Sequence, residues 1–212
     1  MRRLIKKIIF WGILFELICG RNVLAAELMT NAKSTFNSYY LTSIPVNVRC
    51  SFETDGGTLN VFPEGGSNTG VYTAGWSGGG TVAGYCELNG PTPIIYLNSK
   101  TVDRAKNFYP GTARKIICHE MGHYINAKVN ERKYGVKSYT MSPEFVNAYT
   151  KERLNYVYAK KMSVGLFSSF ERTGDIEEYY ANIVAGICTE PVATAEAFPE
   201  SYAIVYGEMN SL

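Results

Sequence analysis

Apolar positions change their period along this chain, and each period predicts a different secondary structure. In residues 27–42, Leu28, Ala32 and Phe36 recur at every fourth position, which predicts a short amphipathic helix. In residues 44–98, apolar and polar positions alternate within short segments, which is typical of strands. The remainder returns to helical spacing. The chain is therefore predicted to begin with a helix, continue into a sheet and end in helices.

The predicted sheet is small and twisted, and its strands run mostly antiparallel or in mixed directions. Glycine-rich breaks, such as those at positions 56–57 and 78–80, separate its segments. The predicted strand segments are 44–50, 58–62, 82–88 and 94–97.

The second half of the chain carries helix-start signals. Thr112 can cap a helix that runs to about Lys128. Ser142 followed by Pro143 predicts a second start, and that helix should run to about Met162. Further helices are predicted at 174–188 and from Pro199 onward.

The segment Ile116–Tyr124 contains the pattern H-E-x-x-H, and it holds the only two histidines of the chain. On a helix, His119 and His123 lie one turn apart on one face, so that both imidazoles can reach one metal ion. Glu120 then stands beside the ion as a general base. So short a pattern also occurs by chance. However, the apolar residues 116–118 directly before it and Gly122 within it indicate a helix packed against other parts of the protein. Buried histidines in such a helix need hydrogen-bonding or metal partners.

The third metal ligand cannot be a histidine. The longer pattern H-E-x-x-H-x-x-G-x-x-H fails, because Asn126 and Val129 stand at its last two fixed positions. An acid on a later helix is the best candidate, and Glu178 would complete a His₂Glu site. Asn182, one turn further, could hydrogen-bond a ligand histidine. The alternative is that Glu177 and Glu178 are acids that a helix dipole favours in a first turn.

The N-terminal segment resembles a secretory signal, with a basic start, an apolar stretch and small residues at Ala25 and Ala26. We expect residues 1–26 to be removed; if they are not, they would anchor the protein to a membrane. Of the 21 basic and 19 acidic residues, five basic and one acidic lie in this segment. The remainder carries a net charge of −2 and no basic stripe, so nucleic-acid binding is not expected.

The 186 residues that remain are enough for one domain. We divide residues 27–212 into a sheet with an active-site helix, 27–128, and a helical subdomain with the third ligand, 129–212. Four cysteines remain, an even number that permits disulfides in an exported chain. Cys50 and Cys86 are predicted to pair first, whereas Cys118 and Cys188 are more simply interpreted as buried thiols.

Three segments together resemble the gluzincin metallopeptidases. They are the strand at 93–98, the helix with His119 to His123, and the segment at 177–182. More narrowly, the chain resembles the lethal-factor-like group, which includes the catalytic domain of anthrax lethal factor and the Pro-Pro endopeptidases. A late Pro-x-Ser-aromatic segment at 199–202 adds to the resemblance, which covers residues 93–212.

The resemblance implies an α+β, zincin-like metallopeptidase with a small N-terminal sheet, an active-site helix and a helical C-terminal subdomain. It implies one Zn²⁺ per chain, with Glu120 as general base and Glu178 as third ligand. The chain departs from the group at two positions. Asn182 stands where the group has an acid, and Glu171 stands where it has the tyrosine that stabilises the oxyanion. Arg172, Tyr156 and Tyr158 are the substitute candidates for that role.

The expected function is that of a secreted, monomeric zinc endopeptidase acting on proteins or peptides. An extended substrate would lie along an edge strand, for which the glycine-rich run at 78–84 is a candidate. The alternative is a secreted, non-catalytic binding protein that keeps the fold and uses zinc only structurally.

Overall fold

The computed structural model describes residues 30–62, 83–102, 112–135, 142–155 and 175–212. Within them the protein is mixed α+β, mostly helical, with one three-stranded sheet. The predicted signal segment, 1–26, lies outside the described residues. No helix in the described ranges combines the length and the apolar character needed to cross a bilayer.

The secondary structure follows the predicted order of helix, sheet and helices. Short 3₁₀ turns follow the last strand, at Ser99–Val102, and the fourth helix, at Arg153–Asn155. The strands are β1 (Thr58–Phe62), β2 (Gly84–Glu87) and β3 (Ile94–Asn98). The helices of the described residues are α1 (30–43), α2 (Val46–Thr54), α3 (Thr112–Tyr134), α4 (Pro143–Glu152), α5 (Ile176–Thr189), α6 (Pro191–Ala197) and α7 (Pro199–Asn210).

The sheet is mixed, as predicted. Its strand order is β1-β3-β2, with β1 parallel and β2 antiparallel to the central β3. Cys86, Ile95 and Leu97 are buried, and β2 and β3 both contact α3. Since α3 also packs along α5, it is the central element of the fold.

The strand predicted at 44–50 is wrong, because the chain forms helix α2 there. The alternating apolar positions of residues 44–50 are compatible with a strand. In the folded protein, packing against the rest of the core instead favours a helix that buries one face. Val48, Ser51 and Phe52 are buried, at the spacing i, i+3, i+4, while Val46 is exposed. Phe52 packs its ring edge-to-face on a tyrosine of α3.

The predicted disulfide between Cys50 and Cys86 is also wrong. Both cysteines are free, as are the other two in the described residues. Cys50 is exposed on α2, whereas Cys86 is buried on β2. The pairing rested on the strand assignment for Cys50, so it fails together with that strand.

The start of α4 agrees with the prediction, whereas the ends of α3 and α4 differ from it. The Ser142 hydroxyl accepts a hydrogen bond from the Phe145 amide at 3.2 Å, so the predicted start of α4 is confirmed. The regular helix ends at Glu152, ten residues before the predicted end. Helix α3 runs past Lys128 to Tyr134, where Gly135 follows with a φ of 73°. The sequence pattern does not predict α6.

Helices α3 and α5 pack against each other at a glycine, Gly122. A Cβ placed on Gly122 would lie 2.7 Å from the Cα of Ala181 and 3.1 Å from its carbonyl oxygen. Helices α3 and α5 therefore approach backbone to backbone. This approach leaves no room for a methyl group, and rigid backbone atoms cannot move aside as the end of a side chain can.

Gly122→Ala is expected to lower the free energy of unfolding by about 1–3 kcal/mol, because the added methyl group must push α3 and α5 apart. Urea unfolding followed by circular dichroism measures this change. Gly207→Ala is the matched control, since no heavy atom lies within 4 Å of its Cβ position in α7. That change should leave stability equal or raise it by up to about 1 kcal/mol through helix propensity. Equal unfolding midpoints for Gly122→Ala and the wild type would contradict the close packing.

Candidate metal centre

The two histidines lie side by side on one face of α3. His119 and His123 are one turn apart, and their ring centroids are 5.0 Å apart with the planes nearly perpendicular. The helix is buried around them, since Ile117, Met121 and Ile125 are fully buried. The predicted placement of both imidazoles on one face is therefore confirmed.

Glu178, in the first turn of α5, faces both imidazoles. Its Oε2 lies 3.2 Å from Nε2 of His119, and its Oε1 lies 3.6 Å from Nε2 of His123. The ligand atoms of the three residues all lie within 4.8 Å of one another, so the group could hold a metal ion. The structure therefore brings together the three predicted ligands.

The spacing of these atoms suits one small cation. Two donors bound at about 2.0 Å to a tetrahedral ion are separated by roughly 3.3 Å. The two separations between Glu178 and the imidazole nitrogens, 3.2 and 3.6 Å, are close to that value. These two separations are compatible with one ion held between Glu178 and the imidazoles.

Asn182 fixes the orientation of the first histidine. Its Oδ1 lies 2.9 Å from Nδ1 of His119, and its side chain is fully buried. An amide oxygen only accepts, so Nδ1 of His119 donates to Asn182 and Nε2 is the nitrogen that faces Glu178. The predicted contact between Asn182 and a ligand histidine is confirmed.

Burial and neighbouring charges shift the pKa values in the cluster. For His123, burial and then the charge of His119 lower the pKa to about 4, which favours the neutral imidazole that a metal requires. For His119, burial opposes the charged form, but the hydrogen bond and charge of Glu178 and the charge of Glu120 outweigh it and raise the pKa. For Glu120, burial and then Glu178 raise the pKa to about 7, against the lowering effect of His119.

Glu120 is buried next to Gly84, the first residue of β2, which is an outer strand among those that the structure describes. A Cβ on Gly84 would lie 2.7 Å from Oε1 of Glu120 and 2.9 Å from its Cγ. The strand backbone thus passes directly over the carboxylate. In the sequence Gly84 stands out only as the end of a glycine-rich run. A more specific indication is its position within a predicted strand, because a glycine within a strand often marks a place where another group comes close to the backbone.

The cluster opens to solvent on the side of α5. The exposed fraction of the Glu178 side chain is 29%, against 11% for His119 and 13% for His123. A ligand of the metal ion could therefore approach past the carboxylate rather than through the core.

The predicted oxyanion donors, Arg172, Tyr156 and Tyr158, lie outside the described residues, and so does Glu171. Their assignment stays a prediction. Of the 78–84 run, only Ala83 and Gly84 belong to the described part of the chain.

No protein-family model matches this chain, and no curated protein matches it. The resemblance to gluzincins therefore rests on the residues named above.

Glu178→Ala is expected to lower metal affinity by at least about 100-fold, because it removes one of three donors, and losing even an outer partner costs 10- to 100-fold. Elemental analysis after dialysis measures the bound metal. Glu177→Ala is the matched control, since Glu177 shares the first turn of α5 but does not belong to the donor cluster. Equal metal content in the Glu178 variant and the wild type would exclude Glu178 as a ligand.

Proposed function

We propose that this protein is a zinc-dependent endopeptidase with a gluzincin-type site. The observation that carries the proposal is the convergence of His119, His123 and Glu178, with Glu120 buried beside them. A zincin fold, secretion and a monomeric state belong to the same proposal. The predicted signal segment supports secretion.

The donor set favours zinc. Two imidazole nitrogens and one carboxylate oxygen are the protein ligands of catalytic zinc in several peptidases, and three protein donors leave a position open. Calcium and magnesium prefer sites made of oxygen alone. Bound Zn²⁺ would polarise a carbonyl group and lower the pKa of water toward ~7.

Glu120 moves the proton in the proposed reaction. Its carboxylate accepts a proton from the water that attacks the scissile carbonyl and donates it to the leaving amine. Glu120 follows His119 directly on α3, and its side chain is not one of the three that form the donor cluster. A purely structural metal site has no use for a carboxylate in this position.

In this proposal the peptide substrate binds along β2. Among the described strands β2 lies at one edge of the sheet and pairs with β3, and extended peptides bind other proteins by adding a strand to a sheet edge. The Gly84 end of this edge lies over Glu120. A peptide paired along β2 would therefore pass the general base, held by its main chain and with little selection by side chain.

Glu120→Gln is expected to lower kcat/KM for peptide cleavage by at least about 100-fold while metal content stays unchanged, because the amide cannot accept the proton. Cleavage of a mixture of unstructured peptides, read by mass spectrometry, measures activity. Glu131→Gln is the control on the same helix, where Glu131 pairs with Lys128. Undiminished cleavage by Glu120→Gln contradicts its role as base. A wild-type protein that binds zinc but cleaves none of the peptides would instead support the non-catalytic alternative.

Gly84→Ala is expected to lower kcat/KM by roughly 10- to 100-fold without loss of metal, because the methyl group displaces the Glu120 carboxylate. The same peptide mixture and elemental analysis provide the two measurements. Gly90→Ala is the matched control, because the nearest heavy atom to its Cβ position is 3.6 Å away. Full activity of Gly84→Ala would show that the strand does not constrain the base.

A further inference from the structure

Two cysteines meet where the metal-bearing helices pack together. The side chains of Cys118 and Cys188 lie close enough to interact, and Arg114, one turn before Cys118 on α3, hydrogen-bonds the backbone of Cys188. Cys118 directly precedes the ligand candidate His119 on α3, and Cys188 is the penultimate residue of α5. The metal cluster makes no use of either sulfur.

Polar contacts on neighbouring residues hold this end of α5 against α3. Arg114 lies one turn before Cys118 on α3, and its Nη2 donates to the carbonyl oxygen of Cys188 at 3.1 Å. Lys115 forms an ion pair with Glu190 at 2.5 Å. Both cysteines also lie within regular helix, so backbone movement cannot easily separate them.

The two sulfurs differ in their access to solvent. Cys118 is fully buried, whereas Cys188 is half-buried. An external disulfide can therefore reach Cys188 first, and Cys118 lies behind it. Cys50 and Cys86 occupy other elements, α2 and β2, and have no such arrangement.

We propose that Cys118 and Cys188 form a disulfide bond in an oxidising compartment and so join the helix of the two histidines to the helix of Glu178. The proposal goes beyond the peptidase function, since it requires neither a metal ion nor a substrate. Its cellular setting rests on the proposed export, because cytosolic thiols are kept reduced.

The bond forms by thiol–disulfide exchange with a small-molecule or protein disulfide. The Cys188 thiolate attacks the donor disulfide, which releases one donor thiol and leaves a mixed disulfide. The Cys118 thiolate then attacks the Cys188 sulfur and releases the second donor thiol. The two cysteines lose two protons and two electrons, and the donor disulfide is reduced to two thiols.

The bond would stabilise the protein mainly through the unfolded chain. The two cysteines are 70 positions apart in the sequence, so the bond closes a long loop that contains α4 and most of α5. In the folded state it would keep the two ligand-bearing helices together after loss of the metal ion.

The test uses the purified full chain incubated with oxidised glutathione, then denatured, alkylated with iodoacetamide and digested. We expect one linked peptide pair containing Cys118 and Cys188, which disappears on reduction, while Cys50 and Cys86 are alkylated. Cys50→Ala should keep the linked pair and Cys188→Ser should lose it. Alkylation of both Cys118 and Cys188 without reduction, or a glutathione adduct that persists on Cys188, would overturn the proposal.

Thermal unfolding of the wild-type protein gives a second readout, which needs no cysteine variant. Reduction of the oxidised wild type with a phosphine should lower its Tm by about 10 °C. An unchanged Tm would contradict a bond that constrains the unfolded chain. Both readouts are independent of zinc and of peptide cleavage, so a failure here and a failure of the peptidase proposal can be told apart.

Discussion

The close approach of α3 and α5 determines the geometry of the whole site. At their contact point Gly122 offers no side chain and Ala181 offers only a methyl group, so the two backbones nearly touch. The polar residues on either side of this point must then face each other across a short gap. Both helices use the spacing i, i+3, i+4 for these rows. The facing rows are His119, Gly122 and His123 on α3 and Glu178, Ala181 and Asn182 on α5.

A second set of contacts fixes α5 from its other side. The Glu152 carboxylate, at the end of α4, accepts hydrogen bonds from the amides of Glu200 at 2.7 Å and Ser201 at 3.0 Å, and so caps α7. The Ser201 hydroxyl lies 3.0 Å from the hydroxyl of Tyr179, the residue after Glu178. A chain of polar contacts thus leads from α4 through α7 to α5. It gives a physical reason for the late Pro-x-Ser segment, which lies far from the metal cluster in sequence.

Features that depend on residues close together in the sequence could be predicted, whereas features that depend on the packing of distant segments could not. The positions of His119 and His123 follow from helical spacing alone, and the lack of a third histidine leads to Glu178. The helix at 46–54 was not predictable from the same patterns, because its burial is selected by packing on α3. The contact of Cys118 with Cys188 depends on the register of two helices, which a sequence pattern does not contain.

Asn182 explains how such a cluster can be buried. Glu178 belongs to the donor cluster and Glu120 is buried beside it, so two acidic side chains already lie at this place. A carboxylate at position 182 would add a third negative charge in a fully buried place, where an uncompensated charge is costly. The neutral amide accepts the hydrogen bond from His119 without adding that charge. Asn182 therefore orients His119 as an acid would, without adding another acidic group to the buried cluster.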